Sequence, residues 1–223
     1  MDNCRVIGIS GVAKSGKDQF FRLLKQKLEK AGVETHRYAI ADRLKEELRN
    51  FVGWYYEFDL MSCSPEQKED MRPLMVFHGT HMRKMTKGRH WVDFLSRQIE
   101  RDEPKGVVCI TDVRFDQEDV DEVDWLKNEL GGKLVHVSRY TELKDTGALN
   151  HIKISVAEKH SGLASNTRSY VKPANEFEEA NDPKLKKEAD YRIEWPTVYG
   201  SLEDVDQELS KHVDDFWEWF TDD

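Results

Sequence analysis

Cysteine is scarce in this sequence. Cys4, Cys63 and Cys109 are the three among 223 residues, far apart, with no CxxC and no paired spacing. That excludes a disulfide framework and a thiolate zinc site, and leaves reduced thiols, with Cys4 and Cys109 packing in strands. Histidine offers no substitute, because His78 and His81 stand three apart without a second ligand pair. Long apolar runs are missing as well; none approaches the roughly 20 residues a membrane helix needs. The opening MDNCRVIGIS has a short strand-like run but no signal-peptide pattern, so a cytoplasmic protein without a membrane partner is expected. Positive charge is not in excess: the net charge is -9, and from Glu176 onward 16 acids face 5 bases. A nucleic-acid polymer is therefore not an expected partner. A small anionic ligand stays open, since it needs only a local cluster of cations. Internal repeats and low-complexity tracts are absent.

What the chain does have is alternation of strand and helix patterns. RVIGIS (5–10), THRYAIA (35–41), GVVCITD (106–112), KLVHV (133–137) and DYRIEW (190–195) read as strands. Helices are predicted over 17–31, 42–52, 90–102 and 117–132. Another should start at Ser64-Pro65-Glu66-Gln67, which offers an N-cap, a proline at the first helical position and a back-capping glutamine. Ser201 and Asp204 cap a last helix whose Leu202, Val205, Leu209, Val213, Phe216 and Phe220 share one face. Such an order predicts a single three-layer α/β domain, 1–223, on a mostly parallel five-stranded sheet.

Between the first strand and the first helix lies Gly11-Val12-Ala13-Lys14-Ser15-Gly16-Lys17, which fits GxxxxGK in the context the motif requires. Backbone amides around Ala13 to Lys17 would point inward, the helix start would add partial positive charge, and Lys17 would reach the β- and γ-phosphates. Asp18 stands where a hydroxyl normally ligates Mg²⁺. Two readings follow: a working metal-assisted site, or a loop that binds without chemistry. Nothing resembles the NKxD base-reading element of GTPases. Instead Arg72, Arg83, Arg114, Arg139 and Arg168 fall in segments that a parallel sheet would carry to its C-terminal edge. Transfer of a phosphoryl group between two anions needs such clamps. Arg114 and Asp112, just past the third strand, should emerge beside the loop.

SGVAKSGKD, MRPLMVFHGTHMRK, ITDVRFDQEDVDEVDWLKNELGGKLVHVSR and the closing D-Y-R-I with G-S-L-E-D-V resemble the deoxynucleoside monophosphate kinases of bacterial viruses. The resemblance covers about residues 5–140 and 188–216. Animal phosphomevalonate kinases share the GKD loop and the aspartate–x–arginine element, so those pieces mark a superfamily. The resemblance implies a P-loop nucleoside-monophosphate-kinase fold and transfer of the ATP γ-phosphate to a 5′-monophosphate, with ATP and Mg²⁺ as cofactors. It also implies that aspartate after the lysine is compatible with activity. Residues Gly11 to Lys17 would then hold ATP phosphates, and Asp18 and Asp112 would position Mg²⁺ or its waters. Arg72 and Arg114 would hold the acceptor phosphate, with Lys45 also touching it and Arg83 among the acceptor-side arginines. Arg139 would reach the transferring group or the adenine side, and Arg168 would close over ATP.

An acceptor-binding helical region is expected at 42–104, where GWYYEFDLM (53–61) offers Trp54, Tyr55 or Tyr56 either to stack on a base or to pack the helices. Residues 141–189 are polar and contain Gly147 and Gly162, as a lid-like insertion would. The terminal FWEWF is read either as a homodimer interface or as the last helix docking on the sheet. Kinases of other phosphorylated metabolites, and a nucleotide-binding regulatory protein without turnover, remain the alternatives.

Overall fold

The computed structural model describes residues 4–118, 120–143 and 167–222. Four parallel neighbours set the frame: β2 (Thr35–Tyr38), β3 (Gly106–Ile110), β1 (Cys4–Ser10) and β4 (Lys133–Leu143), in that spatial order. Beyond them β6 (Tyr191–Pro196) runs parallel to β4 along 135–140, and β5 (Thr167–Tyr170) runs antiparallel to its end along 140–143. The sheet is thus mixed and six-stranded among the described residues, where five strands were expected; the addition is the short β5. Residues 144–166 of the expected insertion, with Gly147 and Gly162, lie outside the described residues.

Alternation along the strands explains the layers. Ile7, Ile9, Cys109, Val135, Val137 and Trp195 face α1 (Lys17–Lys30) and α8 (Leu202–Asp222), joining Phe20, Leu24, Leu28, Leu209, Val213 and Phe216. Val6, Val108, Ile110 and Leu134 face the other way, onto Trp91, Val92, Leu95 and Ile99 of α5 (Arg89–Asp102) and onto Trp125 and Leu126. Each fully buried large apolar side chain contributes about 1.5–3 kcal/mol. Helices on both faces of one sheet make the three-layer α/β architecture.

FWEWF lies on the last helix, which docks on the sheet. Phe216 and Phe220 are buried, and Trp217 and Trp219 pack partly buried against the same core. Phe216 meets Phe20 edge-on at 5.4 Å and Tyr191 at 5.3 Å. At the start of α8, Ser201 Oγ accepts the Asp204 amide while Asp204 Oδ2 accepts the Ser201 amide, the reciprocal cap the sequence predicts. Leu202 departs from the expected face and is exposed.

The helical region between β2 and β3 holds α2 (Ile40–Tyr56), α3 (Pro65–Asp70), α4 (Arg72–Thr86) and α5. The capping box at Ser64 and Gln67 is present. β2 ends at Tyr38, not Ala41, because the Asp112 carboxylate accepts the Ile40 and Ala41 amides, both at 2.7 Å, and so starts α2. Between β3 and β4 the expected long helix shortens to α6 (Glu122–Asp124) continued by a π-helical turn, Trp125–Glu129. Within the polar stretch before β6 lies α7 (Glu176–Glu188), which the sequence reading did not anticipate. Among the described residues no helix is long and apolar enough to cross a membrane.

Candidate functional site

Parallel register places the ends of β1 and β3 side by side: Gly8 pairs with Ile110, and the Val113 amide donates to Ile9 O at 3.1 Å. The chain leaving β1 and the chain leaving β3 therefore open into one crevice, at the carboxyl edge where open α/β sheets bind ligands. Residues 11–16 form the first of these loops. Gly11 has φ +133°, and a Cβ there would sit 2.3 Å from Val137 O. Gly16 has φ +102° and lies against the Trp195 ring, which a Cβ would approach to 2.5 Å. Trp195 Nε1 also donates to Ser15 O at 2.8 Å, so the loop is pinned from beneath by β6. Only glycine suits either position.

The loop's polar groups are unevenly satisfied. Lys17 Nζ folds back to donate to Gly11 O and Val12 O, both at 2.7 Å. Burial and the nearby Arg114 guanidinium lower the Lys17 pKa to about 8, with Glu178, Asp18 and Asp112 pulling the other way. Ser15 Oγ is buried without a hydrogen-bond partner. No side chain caps the start of α1, leaving its first amides to face a ligand.

A cavity of about 400 Å³ opens from this loop. Ala13, Lys14, Lys17 and Asp18 line it from the loop and the start of α1; Lys45, Arg72, Arg83 and Arg114 line it from the helical region and the chain after β3. Ile40, Leu44, Met75 and Val76 add apolar lining. Arg114 is exposed and makes no ion pair among the described residues, although Glu122 Oε2 holds its amide at 2.6 Å. Arg72 lies against Glu69 at 2.7 Å, and Lys45 against Asp42 at 3.2 Å.

Several expected site residues are placed differently. Arg83 is buried, pairs with Asp121 and Glu122 and stacks on Phe115 at 3.7 Å, so its charge is spent on the loop after β3. Desolvation pushes the fully buried Glu122 carboxyl up to about 8, against the pull of Arg83. Trp54 is 83% exposed and does not line the cavity; Tyr55 and Tyr56 are exposed too. These rings stand at the far end of α2, and the aromatic side chains in the cavity wall are Trp91, Phe115 and Phe177. Arg139 lies outside the cavity, 5.6 Å over Trp195, with its Nε buried and unpartnered. Arg168 is exposed on β5, 4.3 Å over Tyr140 and 3.4 Å from Glu194. His78 and His90 share one carboxylate, Glu47, at 2.9 and 3.1 Å.

For Mg²⁺ the donor set is selective. Both Asp112 oxygens already hold the start of α2, whereas Asp18 lines the cavity beside Lys17. Among the described residues no group of three His, Cys, Asp or Glu is placed to hold a metal. Mg²⁺ bound with polyphosphate does not need one, since one or two carboxylates and phosphate oxygens suffice. Asp18 fits that role, with Asp112 behind it as the residue that fixes the cavity's edge.

Two charged residues are among those in the cavity wall that sequence reasoning missed. Arg37, at the end of β2, pairs with Asp42 at 2.7 Å, and Glu178 comes from α7. Arg37 carries the same signal as Arg114, a cation at the carboxyl end of a strand. Glu178 had none, because α7 itself was not foreseen.

Searched against models of known protein families, the chain matches none, and no curated protein matches it either.

Proposed function

We propose that this chain is an ATP-dependent kinase of deoxynucleoside 5′-monophosphates, built as a P-loop nucleoside-monophosphate-kinase-like domain. One observation carries the reading: a single cavity is lined by the glycine loop with Lys17 and by the guanidinium groups of Arg72 and Arg114. Polyphosphate and acceptor phosphate repel each other, and these cations around one cavity offset their combined charge. Lys17 and the first amides of α1 would bind the β- and γ-phosphates of ATP. Arg114 and Arg72, with Lys45, would hold the acceptor phosphate, whose oxygen attacks the γ-phosphorus in line as the bond to ADP breaks. No base is needed, since the acceptor phosphate is already anionic at neutral pH; positioning and charge neutralisation supply the rate. Asp18 would hold Mg²⁺, which would supply charge neutralisation to the phosphates.

The apolar wall of Ile40, Leu44, Met75 and Val76, without Trp54 or its neighbours, favours a second reading. A phosphorylated aliphatic metabolite of the phosphomevalonate kind would fit it as well as a base does. One coupled assay separates the two. Purified protein, ATP and Mg²⁺ are offered each deoxynucleoside monophosphate in turn, then phosphomevalonate, and ADP release is followed. Release that depends on a deoxynucleoside monophosphate is expected, with a loss of at least ~100-fold in Lys17→Ala and in Arg114→Ala. Release with phosphomevalonate alone selects the second reading, and no release with any acceptor removes both.

A further inference from the structure

The amide of Ala13, inside the glycine loop, already has an acceptor: Glu178 Oε2, 3.1 Å away and 165 residues distant in sequence. The same oxygen takes the Ala174 amide at 3.0 Å, and Asn175 Oδ1 accepts the Glu178 amide at 2.9 Å. Capping by Asn175 thus fixes the first turn of α7, and that turn delivers a carboxylate to the glycine loop. Asn175, Phe177 and Glu178 all line the cavity, as do Lys17 and Arg114. A carboxylate at a helix start ordinarily satisfies its own turn. Here it also bonds a loop whose exposed amides select anions. The neighbouring cations feel it: Glu178 works to raise the pKa of both Lys17 and Arg72.

We infer that Glu178 is a built-in competitor for the anion seat of the glycine loop: its carboxylate stands in for a phosphate oxygen, and a polyphosphate seats only by expelling it. This rests on the reading of the loop as a polyphosphate seat. No covalent bond changes; one anion replaces another on the Ala13 amide. Binding is then coupled to release of the first turn of α7 from the loop. By reciprocity, whatever holds α7 on the loop weakens polyphosphate binding by the same factor.

The test is calorimetric titration of inorganic pyrophosphate, and separately of ATP, into the full-length chain and its Glu178→Gln variant. The variant keeps the shape of the side chain and loses its charge. It is expected to bind both ligands at least about tenfold tighter, the scale of a hydrogen bond to a charged group. Equal or weaker binding by the variant, with the wild type binding, overturns the inference and leaves the reading of the loop standing. Absence of binding by both proteins removes the reading and the inference together. Hydrogen exchange on the wild type gives an answer that does not depend on the variant folding. Amides of residues 175–179 should exchange faster when pyrophosphate is bound; unchanged or slower exchange contradicts the displacement.

Discussion

Lys17 is the cavity cation whose chemistry folding changes. Its Nζ lies between the Gly11 and Val12 carbonyls, and burial beside Arg114 brings its pKa down to about 8 from 10.5. In the free protein the ammonium is therefore fully charged below about pH 8 and is lost above it. A positively charged lysine is what attracts polyphosphate, so kcat/KM for ATP should hold level up to about pH 8. It should then fall towards tenfold per pH unit, because that parameter reports the free enzyme. The residual rate of Lys17→Ala should show no break there. Among the arginines, sequence position singled out Arg114 and the resemblance gave Arg72 its role, but Arg83 stood with them as an acceptor-side cation. What sets it apart is the pair Asp121 and Glu122, two buried acids on the next loop, which turn Arg83 from a ligand-facing cation into a support. Arg83→Ala would leave the buried Asp121 carboxylate without its cation and should cost about 3–5 kcal/mol, measured by denaturant unfolding. A residue that served only the substrate would leave stability unmoved.

At the scale of elements, the parts legible in the sequence are those whose signal is local. β1, α1, β3, β6 and the caps at Ser64 and Ser201 follow from apolar periodicity and capping chemistry within a few residues. The departures come from contacts made at long range. The apolar run 35–41 reads as one strand, yet Asp112 reaches across from β3 to claim the amides of Ile40 and Ala41 for a helix. The periodic stretch 117–132 suggests a regular helix. Asp121 and Glu122 instead accept amides of the loop before it, at Gln117, Arg114 and Phe115, so the helix begins late and passes into a π turn. Pro183 and a polar composition hid α7, whose buried Asn181 and Leu185 hold it in place. Likewise, the aromatic run at the end of α2 carries no local mark of whether it faces the cavity or solvent. Long-range packing is also what α8 depends on. Phe216 fills the space between Phe20 and Tyr191, and Phe216→Ala should lower stability by about 3–5 kcal/mol, read from the denaturation midpoint.

The whole molecule brings two loops from neighbouring parallel strands, one helical region and the start of α7 to a single cavity. The glycine loop is rigid from beneath, through Trp195 and Val137, while its open side meets groups that arrive from other segments. That division suits a reaction in which one anion is held firmly and a second is presented to it. On the proposed function, both phosphates sit end to end in one cavity. The most direct test is equilibrium binding of a bisubstrate compound, two nucleosides joined through a chain of phosphates. The compound should bind far more tightly than either nucleotide alone, by effective concentration, and Lys17→Ala and Arg114→Ala should each abolish that gain. Binding no tighter than ATP, or a gain untouched by the Arg114 substitution, would contradict that arrangement.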